Sequence, residues 1–281
     1  MDQASITMLS VSLIISAVIL LALPIFLKLM YGAYFRTFFA GAAAFLIVAY
    51  MAGGLVIAPV LQSVQNFAPL VIIFSALIPA VFEIMARFWC VRLVIGDHLR
   101  QGITTPLMYG AGHVGAETVL IGINAFWTLS VMLMISTAGL DGAVSALTAA
   151  DAAADPLKIR ESLELLIARP ASGFLPLGIE RLLSFIFGLA ASVIVYPSAT
   201  GKGSAHLYMS AILLSMLYKL PVVLFDLGII SNIWISEALL AAVAAAAVTF
   251  AVMTWKKFGE GPPARRQRRQ KSFEGAGMRL R

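Results

Sequence analysis

Cysteine is almost missing from this chain. Cys90 is the single one in 281 residues, which excludes an intramolecular disulfide and a cysteine-rich metal site. Its simplest reading is a small apolar residue in a helix. Charge is also scarce, at 12% Asp, Glu, Lys and Arg together, where soluble domains carry about 25%. Histidine is limited to His98, His113 and His206. No basic residue precedes the first apolar run, "MDQASITMLSVSLIISAVILLALPIF", and that run is too long for a signal-peptide core. The N-terminus is therefore expected to be a first membrane span. No internal repeat is visible, which weakens a transporter built on inverted repeats.

What is abundant is apolar surface. The chain is 60% hydrophobic with a mean hydropathy of +0.94, and soluble domains are about 45–50% apolar. Apolar stretches of about 20 residues, the length of a bilayer crossing, recur throughout. The expected fold is an all-α polytopic membrane protein with about seven transmembrane helices. Candidate spans cover about 5–27, 37–60, 67–87, 103–138, 174–198, 205–228 and 231–255. The fourth is too long for one straight crossing. It must tilt, project beyond the bilayer or break near its glycines, and a division into two would make eight spans.

The distribution of Lys and Arg favours seven. The loops with Lys28 and Arg36, with Arg92 and Arg100, and with Lys202 then fall on one side together with the C-terminus. The loops at 61–66 and 229–230 hold no Lys or Arg and fall on the other. This predicts an integral protein of a bacterial or archaeal plasma membrane, N-terminus outside and C-terminus cytoplasmic. The segment 141–172 would lie outside, where five acidic residues offset Lys158, Arg160 and Arg169. Within it Asp155 can cap a helix and Pro156 suits its first position. Ile159, Leu163, Leu166 and Ile167 share one face, predicting an amphipathic surface helix over about 156–169.

From Lys256 onward nine basic residues face two Glu, a net of +7 against +6 for the whole chain. The transmembrane domain is thus expected over 1–255, followed by a flexible basic tail over 256–281 that lies on anionic lipid headgroups. "RRQRR" has no aromatic or folded platform beside it, so a nucleic-acid partner is not expected. Oligomeric state is not legible.

Ionisable groups inside spans carry the functional information, because each is costly near the bilayer centre. Glu83 and Arg87 are spaced i, i+4 and share a helix face. His113 and Glu117 share another, inside "YGAGHVGAE", with Gly110, Gly112 and Gly115 allowing a neighbouring backbone to approach. Glu180 and Arg181 follow, then Lys219, Asp226 and Glu237. Glu83 and His113 can meet at similar depth, and a carboxylate with an imidazole in a semi-dry pocket is the make-up of a general acid–base site. His206, at a span start, and His98, in a loop, read as solvated residues.

At these residues the sequence resembles the YhfC-like intramembrane proteases, distant relatives of the CAAX prenyl and bacteriocin-processing proteases. The resemblance runs from about 5 to 228. The family motif E-E-x-x-R reads here Glu83-Ile84-Met85-Ala86-Arg87. Its G-x-G-H-G-G-x-E motif reads Gly110-Ala111-Gly112-His113-Val114-Gly115-Ala116-Glu117. Tyr109 matches an aromatic-x-x-x-His element, and Glu180-Arg181 match a later Glu-Arg pair. The resemblance implies a CAAX-protease-like helical bundle that hydrolyses a peptide bond of a membrane-associated peptide or transmembrane helix. Glu83 would be the general base, His113 would orient the water, Arg87 would anchor the Glu83 helix and Glu117 would hold the His113 tautomer.

Four positions depart from the family. Gly188 stands where a histidine follows the Glu-Arg pair, and Ser215 and Lys219 stand where H-x-x-x-D or H-x-x-x-N precedes a proline, here Pro221. The second motif glutamate is Ile84. No metal or other cofactor is expected; were zinc to bind, Glu83, His113 and Glu117 would be its ligands, and zinc ordinarily takes three protein ligands at a catalytic site. Three function classes stay open: an intramembrane peptidase, impaired by these losses; a pseudoprotease that binds transmembrane segments as a chaperone or assembly factor; and a small transporter.

Overall fold

The computed structural model describes residues 2–96, 99–151 and 155–259. His98 and the tail from 260 onward lie outside the described residues. Eight helices account for nearly all of it: α1 Gln3–Tyr31, α2 Phe35–Val64, α3 Ala68–Leu93, α4 Thr104–Ala150, α5 Pro156–Ala168, α6 Pro176–Ala199, α7 Ala205–Asp226 and α8 Ile233–Phe258. All except α5 are long and apolar enough to cross a membrane, giving seven among the described residues. The protein is an all-α, polytopic membrane protein.

Local chemistry sets the ends. Asp2 accepts from the Ala4 N–H at the start of α1, and Gly32, at φ +66°, closes that helix by donating to Lys28. Asp155 accepts from the Leu157 N–H and Pro156 opens α5; Asn232 accepts from Trp234 at the start of α8. The last helix continues to Phe258, so Lys256 and Lys257 sit on its final turn.

The fourth helix is one crossing. It remains helical through Gly110, Gly112 and Gly115 and breaks only at Gly139, whose φ of +74° and ψ of 174° favour glycine. At about 1.5 Å per residue the part before Gly139 is about 52 Å long, well beyond a hydrocarbon core of about 30 Å. It therefore projects. The projecting end carries α5, whose Ile159, Leu163 and Leu166 pack on Val131, Ile135 and Val144 of α4. That apolar face is thus covered by protein, while Leu157 and Leu165 remain exposed on the other side. Arg160 pairs with Asp141, tying α5 to the turn after Gly139.

The central element is α6, the most enclosed of the seven, with α1, α3, α4, α7 and α8 packed around it. The α4 glycines serve close packing. A Cβ on Gly112 would lie 1.9 Å from the Phe38 carbonyl oxygen, and one on Gly41 would lie 2.2 Å from that of Tyr109. The backbones of α2 and α4 thus touch where His113 sits, in the manner of small-residue crossings in membranes. Another face of α4 carries Gly110 against Ser192 of α6.

Gly112→Ala forces α2 and α4 apart, and overpacking of this kind costs about 1–3 kcal/mol. A lowered melting temperature in detergent is expected, while Gly122→Ala, where nothing lies within 4 Å of the added Cβ, leaves it unchanged or slightly raised.

Candidate functional site

Six charged side chains meet inside the bundle, contributed by four helices: Glu83 and Arg87 by α3, Glu117 by α4, Glu180 and Arg181 by α6, and Lys219 by α7. Three are acidic and three basic, so the set has no formal net charge. Removing an ion from water costs several kcal/mol even after relaxation, and only a close opposite charge with good geometry offsets it.

The first group is built around Glu83. Its Oε1 is 2.6 Å from Lys219 Nζ, and its Oε2 is 3.7 Å from Arg87 Nη1. Arg87 is 2% exposed. Its Nη1 also donates to the Glu83 carbonyl at 3.1 Å, and its Nε donates to Ser192 Oγ at 3.3 Å. Ser192 Oγ in turn donates to the Gly188 carbonyl at 2.8 Å. Arg87 therefore fastens α3 to α6 besides facing Glu83. Ser192 escaped the sequence reading; its only signal there is its place one turn beyond Gly188.

The second group is built around Arg181, whose Nη1 donates to Glu117 Oε1 at 3.1 Å and whose Nη2 donates to Glu180. Its buried Nε has no hydrogen-bond partner. A cavity of about 220 Å³ adjoins both groups, with Arg87, Lys219, Glu117, Glu180 and Arg181 in its wall. Ser75 and Pro79 of α3 line it too. Pro79 has no N–H to offer the Ser75 carbonyl one turn back, so the helix wall here carries a spare acceptor. On the facing helix, Tyr218 lies flat on Phe187 with ring centroids 4.3 Å apart, and its hydroxyl has no partner.

His113 stands apart from this pairing. It is fully buried, its Nδ1 is 3.4 Å from the Tyr109 hydroxyl, and the Phe45 ring meets it edge-on at 5.2 Å. Phe45 opens a π-helical stretch, Phe45–Ala52, within α2. The His113 Nε2 has no partner. The expected partnerships thus shift: Tyr109, not Glu117, holds the imidazole, because Glu117 is claimed by Arg181. Glu83 is likewise held by Lys219 and Arg87, not by His113. Ser215 is fully buried with an unpartnered hydroxyl, and His206 is exposed at the start of α7. Glu237 of α8 is buried, with Oε2 unpartnered.

Two departures from the family motif prove to be one steric exchange. A Cβ on Gly188 would lie 2.1 Å from Val114 Cγ2. Val114 of α4 thus occupies the space that a side chain at 188 of α6 would need, and the histidine that the resemblance implies there has no room. A larger side chain at 188 does not fit while Val114 is in place.

The residues present do not suit a metal ion. Among the described residues no three His, Cys, Asp or Glu side chains cluster as a ligand set, and a zinc centre needs about three. Of the three possible ligands, Glu83 and Glu117 each already face a cation, and the cavity wall presents Arg87, Arg181 and Lys219. A divalent ion would meet like charge on each side.

Lys219→Met and Glu83→Gln should each lower stability by about 3–5 kcal/mol, because each leaves a buried charge short of its partner. The double variant should recover a large part of that loss, and a cycle of melting curves in one detergent measures the coupling. Elemental analysis of the purified protein should find no stoichiometric zinc or iron, with melting unchanged by a chelator. About one metal per chain, lost in His113→Ala, would overturn that expectation.

The family model for the YhfC intramembrane metalloproteases matches residues 12–240. An uncharacterized membrane protein, YhfC of Bacillus subtilis (strain 168), is 27% identical over 266 residues, covering 92% of this chain and 99% of that protein. No solved structure matches. The match takes in α3, α4, α6 and α7, the four helices that supply the charged cluster, and the chain belongs to the YhfC intramembrane metalloprotease family.

Proposed function

We propose that this protein is an intramembrane peptidase that hydrolyses a peptide bond of a membrane-associated peptide or transmembrane helix at the Glu83–Lys219 pair. The observation that carries the reading is a carboxylate and an ammonium 2.6 Å apart beside a cavity, within helices of membrane-crossing length. Family membership supports the class of reaction. The family's description includes a metal, but the donor set here does not fit one, so each step is assigned to side chains.

In this reading substrate binding separates Lys219 from Glu83. The Glu83 carboxylate takes a proton from a water as that water's oxygen adds to the scissile carbonyl carbon. The negative charge that develops on the carbonyl oxygen is met by the Lys219 ammonium, the kind of placed charge that supplies most transition-state stabilisation in acyl transfer. The proton held by Glu83 then passes to the departing amine as the C–N bond breaks. One water is consumed, one carboxylic acid and one amine are released, and Glu83 returns to its ionised form. Arg87, fixed by Ser192, positions the Glu83 helix. Arg181, with its Nε unpartnered, is placed to donate a hydrogen bond to a peptide carbonyl. His113, which the resemblance would have orient the water, is sealed between α2 and α4 outside the cavity wall and takes no step in this reading. The positive-inside reading places the N-terminus outside, and the Bacillus relative is in keeping with a bacterial membrane.

Proteoliposomes holding a library of transmembrane peptides, incubated in ¹⁸O-water, test the reaction. New C-termini carrying one ¹⁸O are expected from the parent. Glu83→Gln should reduce them by at least about a hundredfold, the range for removing a general base. Since Glu83→Gln also destabilises, the double variant Glu83→Gln/Lys219→Met is the sharper probe: recovered folding without recovered cleavage supports the chemistry. Cleavage by Glu83→Gln itself removes Glu83 as the base. A parent that retains peptides uncut gives the pseudoprotease reading instead, and solute movement without cutting gives the transporter.

A further inference from the structure

A second cavity lies away from the charged cluster, on the other side of α6. It is an open groove of about 420 Å³ between the start of α4 and the end of α8, with α6 as its floor. Such volumes fall within the range of about 300–1,000 Å³ typical of small-molecule sites. Ala190 and Val193 form part of the floor, Leu107 and Val252 stand on opposite walls, and the lining is apolar until it reaches Trp255 and Lys256. The exposed Lys256 is the one charged residue in it.

We propose that this groove is a binding site for one anionic phospholipid, its acyl chain lying along α6 between α4 and α8 and its phosphate held at Lys256. The depth fits. A 26-residue helix such as α8 is about 39 Å long, longer than a hydrocarbon core of about 30 Å, so its last turn reaches the headgroup layer. Trp255 occupies the level where aromatic belts form, and the Tyr196 ring, 6.2 Å away, backs it. Charge decides the class of lipid. Bulk acyl chains are as apolar as the groove, so no hydrophobic gain favours one lipid over another. What differs between lipids at this site is the headgroup, and the site presents cations: Lys256 in the lining and Lys257 beside it, the latter resting on the Phe258 ring. An anionic phosphodiester without a compensating ammonium is the complementary chemistry.

The test uses the full-length chain reconstituted from equal parts of phosphatidylglycerol and phosphatidylcholine, re-extracted in mild detergent, with retained lipid counted by mass spectrometry. Retained phosphatidylglycerol in excess is expected for the parent. Lys256→Ala should reduce that excess by about fivefold, the worth of one basic residue near an anionic lipid surface. Val252→Trp fills the groove from its rim while leaving Lys256 and the basic tail in place, and it should lose the bound lipid altogether. Melting temperatures near that of the parent show that both variants fold. Equal retention of the two lipids by the parent, or full phosphatidylglycerol retention in Val252→Trp, overturns the proposal. So does a parent that is a dimer and becomes a monomer in Val252→Trp, since a second copy of the chain would then be the occupant.

Discussion

A charge buried in an apolar bundle is tolerable only beside an opposite one, and this constraint organises the interior of the protein. Glu83, Glu117 and Glu180 would each be costly alone, as would Arg87, Arg181 and Lys219. Gathered into two adjoining groups, one of net +1 and one of net −1, they cancel as a set, and the gathering sets the packing. Lys219 draws α7 to α3, Arg87 joins α3 to α6 through Ser192, and Arg181 joins α6 to α4. Three of the helix contacts that enclose the cavity are therefore fixed by polar bonds, which carry direction where apolar packing between membrane helices carries little.

The pairing that makes Glu83 tolerable also restrains it. Its Oε1 is held 2.6 Å from the Lys219 ammonium, so the carboxylate is engaged before any substrate arrives. In the proposed reaction that restraint is lifted when a substrate carbonyl takes the ammonium, so the base is released where and when the oxyanion needs the cation. A second copy of the same logic stands at Arg181, whose carboxylate partners hold it while one N–H stays open.

The exchange between Val114 and Gly188 bears on how the site came to differ from the family motif. The imidazole expected on α6 is absent, and its volume is taken by a valine methyl from α4. Val114 and Gly188 both line the cavity, and the positive charge at Lys219 is brought to Glu83 from a third helix. The cation fixed beside Glu83 is one reason the donor set among the described residues does not suit a metal, although the family is described by one.

Several features were legible in the sequence because they depend on neighbours along the chain. Seven membrane-length apolar runs determine seven helices, since a backbone in lipid must bond to itself. The i, i+4 spacing puts Glu83 with Arg87 on one face, and Asp155 with Pro156 starts a helix. The cost of intramembrane charge marks Glu83, His113, Glu117, Arg181 and Lys219 as residues with a purpose. Which of them face one another was decided by the tertiary structure. Only the seating of α7 against α3 brings Lys219 to Glu83, only the glycine crossing of α2 and α4 seals His113 among Phe45 and Tyr109, and only the packing of α4 on α6 makes Val114 the complement of Gly188. Helix formation is a local event governed by bonds four residues apart. Ion pairing and volume matching act between helices separated by as many as 136 positions, from Glu83 to Lys219, and no periodicity along the chain records them.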